Sequence, residues 1–213
     1  MMKQPSKTNK GQPHKGPNNY TRINHELGFF LDPAKYVPLQ KINDEASVML
    51  RLCLIIENFL EVYINNVRPI GTEAFVKPAR YFMPKVELSV ALKLPISIAE
   101  ALVAVNAIRN KFAHKIEYVM SSDDYERIEN AVNSIDMKTI NPYGIFNIES
   151  LQYMFEAGVD SLVFIRDQQY AMTDRQRKMQ RLIGAVFILS NKCAFFTLSE
   201  LANQGRLKFQ PPV

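Results

Sequence analysis

The sequence predicts an all-α protein, an up-and-down helical bundle with additional C-terminal helices. Three observations carry this: apolar residues recur at helical spacing over long stretches, capping patterns open several of those stretches, and no segment reads as a sheet strand. With 213 residues and 47% hydrophobic content, the chain suffices for one sizeable core. Disorder of the whole chain is excluded.

Residues 1–19 read as a flexible basic arm, because they hold Lys3, Lys7, Lys10 and Lys15, several Pro and Gly, and no acid. Setting those four lysines aside leaves 22 basic residues against 21 acidic, so the remainder is nearly neutral. A mobile cationic arm strengthens contact with a polyanion through counterion release, and a solubilising tail has the same composition. Residues 20–41 form an irregular lead-in. There Leu27-Gly28-Phe29-Phe30-Leu31 is apolar enough to pack on the domain, while Pro33 and Pro38 interrupt any long helix.

From Ile42, the recurrence of Ala46, Met49, Leu50, Cys53, Ile56, Leu60 and Tyr63 predicts a first long helix to about Asn65. On it Glu57 and Glu61 stand four residues apart. They suit a general base, an anchor for a basic residue of a site, or an ordinary polar face. A loop with Pro69, Gly71 and Pro78 leads to a short helix from about Pro84 to Leu94, with Lys85 near its start. Ser97 and Glu100 have capping-box spacing, and Ile98, Leu102, Val105, Ile108 and Phe112 continue a stripe that puts His114 close to the helix end. Ser121 and Asp124 open a fourth helix to about Asp136, so residues 42–136 make a four-helix unit.

Residues 137–205 are expected to add two helices to the same domain after the Asn141-Pro142-Tyr143-Gly144 turn, from about Glu149 to Ala171 and from Asp174 to Asn203; residues 206–213 are a tail. Ser161–Ile165 and Leu182–Leu189 supply apolar faces for packing or for a subunit interface, and Gly184 permits a close helix crossing. The best membrane candidate, Leu182 to Leu198, is interrupted by Asn191 and Lys192, and no targeting signal is evident at the start. Cys53 and Cys193 read as buried free thiols of a cytoplasmic protein. Neither metal-ligand spacing nor a Gly-rich phosphate loop is present, so the expectation is no cofactor and no metal.

The chemistry concentrates in Arg109-Asn110-Lys111-Phe112-Ala113-His114. Arg binds phosphate through a planar fork of donors, and His moves a proton near neutral pH, a combination suited to cleaving a phosphodiester. On an ideal helix Arg109 and His114 lie ~140° apart, whereas Asn110 and His114 are only ~40° apart. Arg109 must therefore curl round the helix, or a second subunit must complete the pocket. A solvated helix end with cations near the negative end of its dipole also fits these residues. Arg166, Arg175, Arg177, Lys178 and Arg181 form a second basic cluster, opposing the dipole of the helix that begins at Asp174. They suit a phosphate surface with Tyr170 beside it, or a solvated face balanced by Asp167 and Asp174.

Phe82-x-x-Lys85, Ala91-Leu92, Leu102 and Ile108, followed by Arg-Asn-x-Phe-Ala-His, resemble the HEPN superfamily over residues 42–136. The resemblance implies a helical domain that dimerises around this segment and, in active members, cleaves RNA without a metal. It makes Arg109, Asn110 and His114 the expected catalytic residues. The candidate substrate-binding cations are Lys111 within the motif, Lys115 just after it, and Arg175, Arg177 and Lys178 in the second cluster. Expected partners are single-stranded RNA, a second copy of the chain and, for a toxin or phage-defence effector, an antitoxin or other protein. Some members of the superfamily lack nuclease activity. A dimeric regulator resembling the mannitol-repressor-like proteins is therefore the competing expectation.

Overall fold

Leu27 and Phe30 are fully buried, and they turn the lead-in segment onto the bundle as a one-turn helix, α1 (Gly28–Leu31). In this computed structural model, which describes residues 26–147, 157 and 173–207, two short 3-10 turns follow at Pro33–Lys35 and Val37–Lys41. Tyr36 and Leu39 extend the same contact into the core. The expected packing of this segment is thus present, with more local order than its prolines suggest. The basic arm lies outside the described residues, as does the predicted helix Glu149 to Ala171, with Arg166 and Tyr170, except at Ala157, which is not helical there because the Asn133 side chain takes up its backbone N–H and carbonyl, both at 2.8 Å.

The long helix α2 (Glu45–Val67) begins when Asp44 takes up the Ser47 N–H at 2.8 Å, satisfying an amide that the first turn leaves without a partner. α3 (Phe82–Ala91) starts two residues before the expected Pro84 and stops earlier than Leu94. Pro84 falls inside the first turn, where a missing N–H costs nothing. Lys93 then takes a left-handed conformation that ends the helix. α4 (Ile96–His114) ends at His114 as predicted, but its start corrects the sequence reading. Pro95 occupies the cap with no side-chain hydrogen bond, and its carbonyl receives the Ala99 N–H at 3.0 Å. Ser97 already lies within the helix and cannot cap it.

The predicted capping box at Ser121 and Asp124 is formed and opens α5 (Ser122–Asn133). That helix ends short of Asp136, which instead caps an unpredicted turn, α6 (Met137–Ile140), by accepting the Thr139 N–H at 2.7 Å. Thr173 and Gln176 form a second capping box and start α7 (Asp174–Asn203), the helix expected there. Among the described residues every regular element is helical, so the all-α expectation holds.

α7 packs against α1, α2, α4, α5 and α6 and forms the middle of the core. By length and composition it is apolar enough to cross a membrane, but 83% of its most apolar window is buried by the other helices. Burial of Leu182, Ile183, Val186 and Leu189 contributes roughly 1.5–3 kcal/mol per side chain. Lys192, expected only to interrupt this apolar stretch, is buried and donates to the Val132 and Ile135 carbonyls at 2.7 and 2.8 Å. A cation there satisfies oxygens at the end of α5 and meets the negative end of its dipole. Cys53 and Cys193 are buried free thiols, as expected.

Candidate functional site

The motif occupies the last turn and a half of α4, with Arg109, Asn110, Ala113 and His114 exposed and Lys111 and Phe112 half-buried. The apolar stripe explains this split, because Ile108 and the preceding core positions bury one side of α4 and leave its final turn projecting. Arg109 bends toward its neighbour, one guanidinium nitrogen lying 3.4 Å from Asn110 Oδ1. Its charge also reaches α2. Burial pushes the Cys53 thiol up to about 12, while the Arg109 guanidinium pulls it the other way. The His114 side chain makes no hydrogen bond or ion pair among the described residues.

Lys111 is placed differently. Its ammonium lies 2.5 Å from Asp124 Oδ1 and 5.6 Å from the centre of the Tyr118 ring. Asp124 also accepts the Tyr118 hydroxyl and both the amide and hydroxyl of Ser121. Burial alone raises its pKa, but the hydrogen bonds from Lys111, Tyr118 and Ser121 hold the carboxyl well below the usual carboxylate range. This hub pins the end of α4 to the start of α5, and the edge-to-face contact of Phe112 with Tyr118, centroids 4.8 Å apart, folds residues 115–119 back along α4.

Glu57 and Glu61 hold a basic residue. They clamp the buried Lys85 ammonium at 2.7 and 2.5 Å, joining α3 to α2 in a cluster with one net negative charge. Arg181 from the second basic cluster forms a two-point pair with Glu129, at 2.5 and 2.6 Å. Among the described residues no group of three His, Cys, Asp or Glu side chains is arranged to hold a metal ion.

Arg175 and Lys178 come together with the chain that follows His114. They line one side of a cleft of about 610 Å³, whose other walls are Ile116 to Val119, Phe112, and Asp44 to Ala46 at the start of α2. Lys115 and Arg177 are exposed but do not line it. No protein-family model, curated protein or solved structure matches this chain. The chemistry must therefore be read from the residues themselves.

Sequence reading missed the acidic and apolar walls of the cleft. Asp44 and Glu45 carry no reading in the sequence, and in the structure they form the cap and first position of α2. Ile116 and Val119 lie in a short segment after the motif, and nothing in their spacing signals that they are exposed. The available signal was their position, within five residues of His114.

Proposed function

We propose that the chain is a HEPN-like, metal-independent endoribonuclease that cleaves single-stranded RNA. The observation that carries this reading is the exposure of Arg109, Asn110 and His114 together at the end of α4, while the neighbouring Lys111 is engaged by Asp124. A guanidinium, a carboxamide and an imidazole are thus left on one helix end for an incoming phosphodiester.

In the reaction, His114 takes the proton of a 2′-hydroxyl as the oxygen bonds to the adjacent phosphorus. Arg109 neutralises charge developing on the phosphorane, and Asn110 orients the imidazole or a phosphate oxygen. The bond to the 5′-oxygen breaks, and His114 of a second copy supplies the proton that oxygen needs. The products are a 2′,3′-cyclic phosphate and a 5′-hydroxyl. A toxin or phage-defence role follows if expression of the chain alone restricts growth through this activity and an antitoxin relieves it.

The test is incubation of the purified chain and His114→Ala with labelled single-stranded RNA in chelator, with chemical identification of the new ends. Cleavage by the wild type alone, leaving a cyclic phosphate, supports the proposal. A 3′-monophosphate formed with no cyclic precursor rules the mechanism out.

A second reading has its own supporting observation. Leu50 and Leu54 on α2 and Ile116 and Val119 after the motif are exposed apolar residues, suited to a seam between copies. In a non-catalytic dimeric regulator that seam is the function of the region. His114→Ala then alters assembly, and no RNA is cut by either protein.

A further inference from the structure

The cleft beside the motif has features that neither a helix cap nor a solvated charged face requires. Ile116 at its rim is fully exposed and Val119 is 70% exposed, so two β-branched side chains stand in water with Phe112 and Tyr118 behind them. On the α2 side, Glu45 is 91% buried, its residual exposure being 9%. One of its oxygens receives only a long contact from the Met120 N–H, 3.4 Å away, and the other has no hydrogen bond among the described residues. Arg175 and Lys178 are three residues apart on α7, hence on one face, beside the positive end of that helix's dipole.

The lining carries Asp44, Glu45 and Glu117 against Arg175 and Lys178, so it has no excess of positive charge to attract a bare polyanion. Asp44 is occupied in capping α2. The open carboxylate comes from α2 and the two cations from α7, which suits a ligand with an anion at one end and a hydrogen-bond-donating, flat, apolar-faced group at the other. A nucleotide has that form. Close by, the Tyr125 hydroxyl is buried without a hydrogen-bond partner. Burial above all, then the charges of Glu45 and Asp124, push its pKa up, while Arg181 and Arg175 oppose them. It is a neutral donor lying among these same groups.

We infer that this cleft is a guanine-nucleotide subsite for RNA, with phosphate on Arg175 and Lys178, the base against Ile116 and Val119, and its donor edge on Glu45. This rests on the RNA-cleaving reading. Guanine is singled out by chemistry: N1–H and the 2-amino group are adjacent donors that match the two oxygens of a carboxylate. Adenine and cytosine each place an acceptor beside their amino group, and uracil flanks its single N–H with two carbonyls. Ile116 follows His114 by two residues, a backbone reach of at most ~7 Å, so the subsite adjoins the proposed point of cleavage.

The four nucleoside 3′-monophosphates, titrated separately into the full chain and followed by calorimetry, test this directly. Guanosine 3′-monophosphate is expected to bind at least about tenfold more tightly than the others. Glu45→Gln is expected to remove that preference. Arg175→Ala, at an exposed position, is expected to weaken guanosine 3′-monophosphate several-fold while leaving guanosine unaffected. Equal binding of all four, no binding of any, or an unchanged preference in Glu45→Gln overturns the subsite. RNA cleavage without guanine preference overturns the subsite and leaves the nuclease reading standing. Guanine-selective binding without cleavage supports the subsite and removes the nuclease reading.

Discussion

The Lys111 ammonium lies 2.5 Å from Asp124 Oδ1, so the central cation of the Arg-Asn-Lys-Phe-Ala-His segment ties two helices together. Asp124 is nearly buried, its side chain 6% exposed, and accepts three further hydrogen bonds. Asp124→Asn is expected to destabilise the fold by ~2–3 kcal/mol, because donors at a buried site lose their charged acceptor. Lys111→Met removes a half-exposed partner and is expected to cost about 1 kcal/mol or less. Urea unfolding of the two variants checks the order.

Acid should act through the same carboxylate. The folded-state pKa of Asp124 is depressed, as are those of Asp136, through its bonds to Thr139, and of Asp44, through its bonds to Ser47. A depressed carboxylate contributes stability that is complete above its unfolded value, about 3.9, and is lost as pH falls through the folded value. The protein is therefore expected to hold its urea midpoint from neutral pH to about pH 5 and to lose it below about pH 4. Asp124→Asn should show a shallower acid loss. An unchanged slope in that variant removes Asp124 from the account.

At the proposed catalytic end, Arg109→Lys keeps the charge but loses the planar fork. Cleavage is expected to fall by roughly 10- to 100-fold, with stability within about 0.5 kcal/mol of wild type because the side chain is exposed. His114→Ala is expected to abolish cleavage with equally little effect on folding. Single-turnover rates and thermal melts on the same samples separate chemistry from stability.

Lys93 is the one non-glycine residue with positive φ among the described residues, at 76°. It closes α3, with its own N–H on the Val90 carbonyl and the Leu94 N–H on the Ser89 carbonyl, both at 2.9 Å. Gly71, Gly144 and Gly205 meet the same backbone demand with glycine. Lys93→Gly is expected to stabilise the protein by about 1 kcal/mol, read as a higher urea midpoint with an unchanged slope. A lower midpoint contradicts strain at this position.

What the sequence determined alone was local. Apolar periodicity and cap chemistry act within a few residues, so the α2, α5 and α7 starts and the end of α4 at His114 were all legible to within a few positions. The same locality explains the failure at Ser97, where a valid capping pattern competed with Pro95, and the surprise at Lys93, where the turn geometry overrode the residue's preference. Pairings across the chain were decided only by tertiary packing. Lys111 and Asp124 are 13 residues apart, and Lys85 meets Glu57 and Glu61 across separations of 28 and 24 residues. Arg175 and Lys178 were recognisable as cations, yet only the docking of α7 against α2 and α4 brings them to the segment after His114. Side-chain chemistry is written in the residue, but which charges neutralise one another and which remain open depends on distances set by the whole core.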